Sequence, residues 1–203
     1  MALIINKVVS GLFSTNTYIL EKDNEVVIID PVCRMSRLEE FIGDKKLLAI
    51  LLTHGHFDHI KTVDELYKKY NMDIYVHKDD EYLIRDKKQA NKFGIGEGIH
   101  VASPCLFYKE GILNIGSFNF EIIFTSGHTR GSVCIKIDDN LFTGDTLFNL
   151  SIGRTDLDGG NDKNMKGSLL IIKKMDENLK IYPGHGDESV LKYELLNNIY
   201  LKS

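Results

Sequence analysis

Three histidines and an aspartate are concentrated in the segment "HGHFDH" at residues 54–59, directly after an apolar run. Imidazoles this close together repel one another when protonated, whereas neutral imidazole is the commonest metal ligand in proteins. In an extended chain, His54 and His56 point to the same side. Asp58 and His59 follow where the chain leaves the predicted strand and can turn towards a second point. The spacing therefore predicts two metal ions, one beside each pair. A polar turn at a strand end is the alternative, but such a string arises by chance in roughly one chain of this composition in a thousand.

Three further candidate ligands stand in short glycine-containing motifs: His128 in "SGHTRGS", Asp145 in "TGDTLF" and His185 in "YPGHGDE". Each is directly preceded by glycine and follows a predicted strand. Glycine lets the backbone approach an ion closely because it has no Cβ. With the first segment these residues provide seven nitrogen and oxygen ligands, enough for two ions that share Asp145 as a bridge. The remaining histidines, His77 and His100, lack such context and are interpreted as structural or surface residues.

The elements that must position these residues are predicted from the periodicity of the apolar side chains. Nine apolar stretches predict strands: "ALIINKVV", "TYIL", "EVVIID", "LLAILLT", "DIYVH", "FNFEIIFT", "SVCIKID", "LFTG" and "LKIYPG". Four stretches predict helices: "SRLEEFIG", which ends at Gly43, "TVDELYKKY", "SLLIIKKM" and "SVLKYELLNNIY". Residues 79–110 are charged and glycine-rich, and predict a helix followed by a loop. Two halves of this kind without a hinge predict two sheets packed face to face, with helices outside, in one domain of residues 1–203.

Composition narrows the classes of function. The formal charge of −4 gives no reason to expect nucleic acid or an anionic membrane as a partner. The three cysteines, Cys33, Cys105 and Cys134, have no CxxC spacing and predict free thiols in a reducing compartment. The first residues lack the charged start and continuous apolar core of a signal peptide, and no segment reaches the length of a membrane span. We therefore expect a cytoplasmic protein that acts on a small molecule, and the oligomeric state is not indicated.

The motifs "THGHFDH", "SGHTRGS", "FTGDTLF", "GRTD" and "YPGHG" together resemble the metallo-β-lactamase superfamily, and within it the glyoxalase II-like hydrolases. The resemblance extends from "VVIIDP" to the end of the histidine motifs. It implies an α/β fold, the four-layer αβ/βα sandwich of that family, with the metals at one edge between the two sheets. It also implies two ligand groups and a bridging residue: His54, His56 and His128 for the first ion, Asp58, His59 and His185 for the second, and Asp145 between them. The chain departs from the family in two places. Asp30 is followed by "PVC" where Pro-Gly is usual, and Ser126 and Arg130 replace prolines that are common around the third ligand.

A centre of two divalent ions with this ligand set predicts a metal-dependent hydrolase. A hydroxide bridging the ions, held and oriented by Asp58 as the catalytic carboxylate, would attack a carbonyl. Thioesters such as S-2-hydroxyacylglutathione fit because a thiolate leaves without a strong general acid. No Ser-His-Asp or Cys-His nucleophile is evident, so the attack is expected from water. Zinc is the expected metal, and histidine and aspartate ligands also suit iron or manganese.

The loop "LFNLSIGRTDLDGG" is predicted to form a wall of the substrate pocket, with Phe148 and Arg154 as candidate substrate-binding residues. Arg154 either binds a substrate carboxylate or pairs with Asp156, and pairing is favoured because exposed arginines beside carboxylates usually pair. Glyoxalase II enzymes grip glutathione with a C-terminal helical domain, and only one short helix is predicted after His185. Glutathione binding by the family's usual residues is therefore unsupported.

Six other functions are compared with these motifs. A persulfide dioxygenase with one iron shares "GRTD", but Phe57 and "PGH" stand where that branch usually has alanine and "PAH". A lactonase or a phosphodiesterase could use the same ligands, whereas flavodiiron oxidoreductases carry glutamate in place of His56. The commonest β-lactamases of this family carry cysteine in place of Asp145. The complete ligand set argues against a metal-binding protein without catalysis.

Overall fold

The computed structural model describes residues 2–96 and 98–202. Met1 and Ser203, the ends of the predicted domain 1–203, lie outside the described residues. The N-terminal half forms a six-stranded sheet, in the order β1-β2-β3-β4-β5-β6. The first three strands are antiparallel, and the last four run parallel to one another. These strands are β1 (Ile4–Ser10), β2 (Thr15–Lys22), β3 (Glu25–Ile29), β4 (Lys46–Leu51), β5 (Asp73–Val76) and β6 (Leu106–Phe107).

The second half forms another six-stranded sheet, and it contains one parallel pair. Its strands are β7 (Gly111–Ile115), β8 (Phe118–Phe124), β9 (Val133–Ile137), β10 (Asn140–Gly144), β13 (Lys180–Pro183) and β14 (Ser189–Val190). They are ordered β14-β13-β10-β9-β8-β7, and only β10 and β13 are parallel. A short hairpin of β11 (Leu147–Phe148) and β12 (Ser151–Ile152) projects from the end of β10.

Helices cover the outer face of each sheet, and an apolar core lies beneath the helices on either side. A third apolar core lies between the two sheets. The helices are α1 (Met35–Ile42), α2 (Val63–Tyr70), α3 (Glu81–Arg85), α4 (Asp162–Ile172) and α5 (Leu191–Asn197). The alternation of side chains along β3 shows the layering. Val26 and Ile28 pack with α1 and α2, whereas Val27 and Ile29 pack against the second sheet. Helices α4 and α5 cover the other sheet. The predicted four-layer αβ/βα sandwich is confirmed.

Several local features differ from the sequence-based prediction. Helix α4 begins at Asp162, earlier than the predicted "SLLIIKKM", because the Asn161 side chain accepts a hydrogen bond from the Asn164 amide at 2.9 Å and caps the first turn. Strands β6, β7, β11 and β12 were not predicted, since their apolar residues are too few or too exposed to give a clear period. The stretch "SVLKYELLNNIY" was predicted as one helix, but Ser189–Val190 form β14 and the helix covers only Leu191–Asn197. Among the described residues, no helix has the length and apolar character needed to cross a membrane.

Candidate metal centre

The predicted ligands follow strands of both sheets and meet at one edge of the sandwich. The segment 54–59 follows β4 and closes into a 3₁₀ turn at Phe57–His59. His128 follows β8, Asp145 follows β10 and His185 follows β13. The structure brings all seven side chains together. Five of them are buried, namely His54, His56, His59, His128 and Asp145, and the other two are partly buried.

Six of the predicted ligands form two groups of three, and in each group the ligand atoms lie within 4.8 Å of one another. In the first group, His56 Nδ1 lies 2.8 Å from His128 Nε2, and the buried Nε2 of His54 has no hydrogen-bond partner. In the second group, the Nε2 atoms of His59 and His185 are 3.3 Å apart. The Asp58 carboxylate lies 3.5 Å from His185 Nε2 and 3.9 Å from His59 Nε2. These are the two sets that the family resemblance implied.

Asp145 contacts both groups. One carboxylate oxygen is 3.4 Å from Nε2 of both His128 and His185, and the other is 3.5 Å from Nε2 of His59. Its Oδ1 is buried without a hydrogen-bond partner. Ligand atoms around a tetrahedral ion, each about 2.0–2.2 Å from it, lie roughly 3.3–3.6 Å apart. The spacing and the two unpartnered buried atoms therefore fit metal ligation.

Four of the histidines form a hydrogen bond through Nδ1, the ring nitrogen that faces away from the centre. Such a bond sets the tautomer and aims the free nitrogen at a metal. Each pair is formed with Nδ1: His54 with Thr53 Oγ1 at 3.1 Å, His59 with Asp30 at 2.8 Å, His128 with the Arg154 carbonyl at 2.7 Å, and His185 with the Phe13 carbonyl at 3.0 Å. Nε2 of all four is thereby left to face the centre.

Asp30 supports the centre, and sequence reasoning gave it no role. Its carboxylate also forms a group with His54 and His59 that has metal-ligand spacing. However, it accepts hydrogen bonds from the Thr53 amide at 2.8 Å, from Thr53 Oγ1 at 2.6 Å and from His59 Nδ1. These bonds occupy both of its oxygens and place it behind the ligands. The signal for Asp30 was present in "VVIIDP", where it ends an apolar strand inside a matched motif.

Asp80 and Gln89 hold the ligand-bearing loops, and neither was predicted. The buried Asp80 carboxylate accepts from the Gly55 and Gly131 amides, at 2.8 and 2.7 Å, and from the Thr129 hydroxyl at 2.6 Å. It therefore ties the segment that carries His54 and His56 to the loop that carries His128. Gln89 accepts from the Phe57 amide and donates to the Gly55 carbonyl. Asp80 and Gln89 bond mainly to backbone groups that are more than 20 residues away in the chain, and no local sequence pattern indicates such contacts.

The two halves of the centre have different electrostatics. Burial, with the neighbouring His128 next in importance, lowers the pKa of His56 to about 3, and burial also holds the pKa of His54 well below its usual value. Burial acts in the same direction on His59, but Asp145 and Asp30 outweigh it and raise the pKa of His59 to about 10. Burial opposes ionisation of Asp145, yet His59 holds its pKa well below the usual range. The carboxylate-rich half thus attracts positive charge, while the first group offers neutral nitrogen atoms.

A cavity of about 380 Å³ opens onto the centre, and both predicted substrate-binding residues, Phe148 and Arg154, line it. The Arg154 guanidinium forms two hydrogen bonds to Asp156, at 2.7 and 2.6 Å, which is the favoured pairing. The backbone of the loop that carries Arg154 lies close to the centre, because a Cβ at Gly153 would collide with the Asp145 carbonyl oxygen. The loop therefore contributes a backbone carbonyl to His128 as well as a wall to the cavity.

Comparisons with known proteins agree with this geometry. The model of the metallo-beta-lactamase superfamily matches residues 10–185. A probable metallo-hydrolase, YqgX of Bacillus subtilis (strain 168), is 38% identical over 94% of both chains. Hydroxyacylglutathione hydrolase GloC of Haemophilus influenzae is 32% identical over 91% of both chains. Two crystal structures superpose closely. The B3 metallo-beta-lactamase BLEG-1 has a TM-score of 0.92 and 33% identity over 98% of this chain and all of its own. TTHA1623 in a di-iron-bound form has a TM-score of 0.88 and 30% identity over 97% of this chain and all of its own.

Proposed function

The chain belongs to the metallo-β-lactamase superfamily of metallo-hydrolases, whose members bind divalent metal ions, and from this premise we propose that it hydrolyses thioesters at a centre of two such ions. The single observation that carries the proposal is the position of Asp145, whose carboxylate contacts histidines of both ligand groups and could therefore bind both ions. Zinc is the proposed metal. The di-iron form of TTHA1623 makes iron the main alternative.

The ligand assignment follows the two groups and the bridge. His54, His56 and His128 would hold the first ion, Asp58, His59 and His185 the second, and Asp145 would contact both. Bound ions supply Lewis acidity, which polarises a substrate carbonyl and lowers the pKa of a coordinated water. Asp58 lines the cavity. Its carboxylate would accept a hydrogen bond from the attacking water and orient that water towards the carbonyl carbon.

Among the described residues, the side chains at the cavity do not favour attack through a covalent intermediate. The lining residues that the structure describes include no serine, cysteine or lysine. Cys33 and Cys134 are buried elsewhere, and burial raises the pKa of Cys105 to about 11 and that of Cys134 to about 12. Water is therefore the proposed nucleophile. With no lysine or tyrosine lining the cavity to protonate the leaving group, a thiolate is the leaving group that suits the site best.

Similarity to GloC supports S-2-hydroxyacylglutathione as the first thioester to test. Similarity to BLEG-1 raises β-lactam hydrolysis as a second candidate on the same centre. The test compares kcat/KM for S-lactoylglutathione, a short-chain acyl thioester, a homoserine lactone and a β-lactam at equal metal loading. We expect both thioesters to react fastest, since an amide nitrogen leaves poorly without an acid. A lactone or a β-lactam that reacts tenfold faster than both thioesters would overturn the substrate class and leave the metal centre standing.

A further inference from the structure

Beyond the metal centre, the wall of the catalytic cavity is almost entirely apolar. Five of the residues that line it belong to the two ligand groups and the bridge. The remainder are six apolar residues and one cation: Phe13, Phe57, Phe93, Phe148, Ile152, Leu157 and Arg154. Pockets that recognise an apolar group combine such a wall with a few polar groups that fix the reacting atoms. Here those polar groups are supplied by the metal centre.

Three of the phenylalanines form one aromatic cluster, from segments far apart in the chain. Phe13 lies 5.8 Å from both Phe57 and Phe93 between ring centroids, edge to face with each, and Phe57 lies 5.3 Å from Phe93. Phe57 is buried, but Phe13 and Phe93 are 39% and 37% exposed. Phe57 directly precedes Asp58, so the cluster begins beside the metal ligands. Two partly exposed rings on the lining of a cavity leave apolar surface for a ligand to cover.

The charges of the cavity do not match a charged thiol such as glutathione, which carries two carboxylates and one ammonium group. Arg154 is the only lysine or arginine among the lining residues that the structure describes, and Asp156 already engages its guanidinium. A second carboxylate would have no cationic partner on this wall. Apolar surface, by contrast, is provided by the aromatic cluster and by Phe148, Ile152 and Leu157, which line the same cavity.

We propose that the preferred substrate is a thioester that carries an aromatic or alkyl group, packed against Phe13, Phe57 and Phe93 while its carbonyl lies at the metal centre. This inference rests on the proposed thioester hydrolysis and specifies its substrate class. Each additional CH₂ buried against the cluster should raise kcat/KM by about fourfold, since burial of one CH₂ stabilises by about 0.8 kcal/mol. The apolar group belongs to the acyl part or to the thiol part, and the experiment separates the two.

The experiment measures thiol release by the metal-loaded protein from two substrate series. The first series attaches acetyl, butyryl, hexanoyl and phenylacetyl groups to N-acetylcysteamine. The second attaches an acetyl group to N-acetylcysteamine or to 2-phenylethanethiol, which are both aliphatic thiols. A rise of at least tenfold across the first series assigns the apolar group to the acyl part, and a similar rise in the second assigns it to the thiol part. A response flat within twofold in both series overturns the proposal. Absence of turnover with every thioester is a different result, and it refutes the proposed function itself.

Variants locate the effect. Phe13→Ala and Phe93→Ala should each lower the ratio of kcat/KM for the preferred apolar substrate to that for acetyl-N-acetylcysteamine by about tenfold, mainly through KM. Phe107→Ala is the control, because Phe107 is 41% exposed on β6 and does not line the cavity. Metal content and Tm are measured for each variant, and the ratio is independent of the fraction of active protein. Unchanged ratios in both cluster variants would contradict the assignment of the cluster.

Discussion

Replacing Asp30 with asparagine removes one oxygen from a buried carboxylate that orients a proposed metal ligand. Asp30 accepts from the Thr53 amide, from the Thr53 hydroxyl and from His59 Nδ1, all within 2.8 Å. The backbone at this position has φ +50°, which asparagine tolerates as well as aspartate. The substitution therefore changes hydrogen bonding without adding backbone strain.

The amide group of the variant can satisfy only part of this network. If its oxygen remains with the Thr53 amide, its NH₂ group faces His59 Nδ1, and two donors oppose each other. A neutral His59 relieves the conflict by moving its proton to Nε2, the atom that faces His185 and Asp145. Metal binding at this position must then displace that proton.

The expected loss follows from these contacts. Removing the partner that orients a histidine ligand typically costs about 10- to 100-fold in metal affinity, or about 1.4–2.8 kcal/mol. We expect this loss for the ion held by the second group, and a smaller change for the first group. The metal-free variant should also lose about 1–3 kcal/mol of stability, because the new NH₂ group cannot accept the hydrogen bond that the buried Thr53 hydroxyl donates to Asp30. For a chain of this length, this loss lowers Tm by several degrees.

The assay is a competitive titration of each metal-free protein against a chromophoric chelator, with thermal unfolding in parallel. Asp44→Asn serves as the control, because Asp44 is exposed and shares the same change of charge. If Asp30→Asn binds both ions within threefold of the unmodified protein, the idea that Asp30 fixes His59 for metal binding is wrong.

Further predictions concern Asp145, Gly184 and Cys105. Asp145→Ala should abolish turnover and lower metal content, since it removes the contact shared by both ligand groups. Asp156→Ala should lower turnover less than tenfold. Equal losses of turnover in the two variants would contradict the bridging role of Asp145. Gly184→Ala should reduce metal content while the fold persists by circular dichroism, because the new Cβ would collide with Asp145 Oδ1; full metal content would contradict this close approach. Burial raises the pKa of Cys105 to about 11, so only about one molecule in a thousand carries the thiolate at pH 8. Its alkylation by iodoacetamide, followed by peptide mass spectrometry, should accelerate about tenfold per pH unit up to pH 10, and a plateau near pH 9 would show an ordinary thiol.

The ligand positions were predictable because each lies directly after an apolar strand, and strand ends on one edge of a sandwich converge. The alternation of Val26 to Ile29 between two apolar cores likewise follows from the period of a strand, so a doubly covered strand could be predicted from its continuous apolar run. These features depend on local sequence and on the geometry of regular elements.

The supporting contacts were not predictable in the same way. Asp80 lies in a charged stretch for which the sequence predicted only a helix and a loop. Its carboxylate nevertheless accepts hydrogen bonds from the backbone amides of residues 55 and 131. Arg154 supports His128 through its main-chain carbonyl, which has no side-chain signature. The aromatic cluster joins Phe13, Phe57 and Phe93 only through the tertiary fold. Such contacts depend on the relative position of distant loops.

The central claim is that the protein hydrolyses thioesters at a centre where two ligand groups, with Asp145 between them, would hold two divalent ions. The most direct test adds metal stepwise to metal-free protein and follows both bound metal and thioester turnover per chain. We expect two ions per chain at saturation, with turnover rising as the second ion binds. Saturation at one iron per chain, together with oxygen consumption on a glutathione persulfide and no thioester turnover, would contradict it.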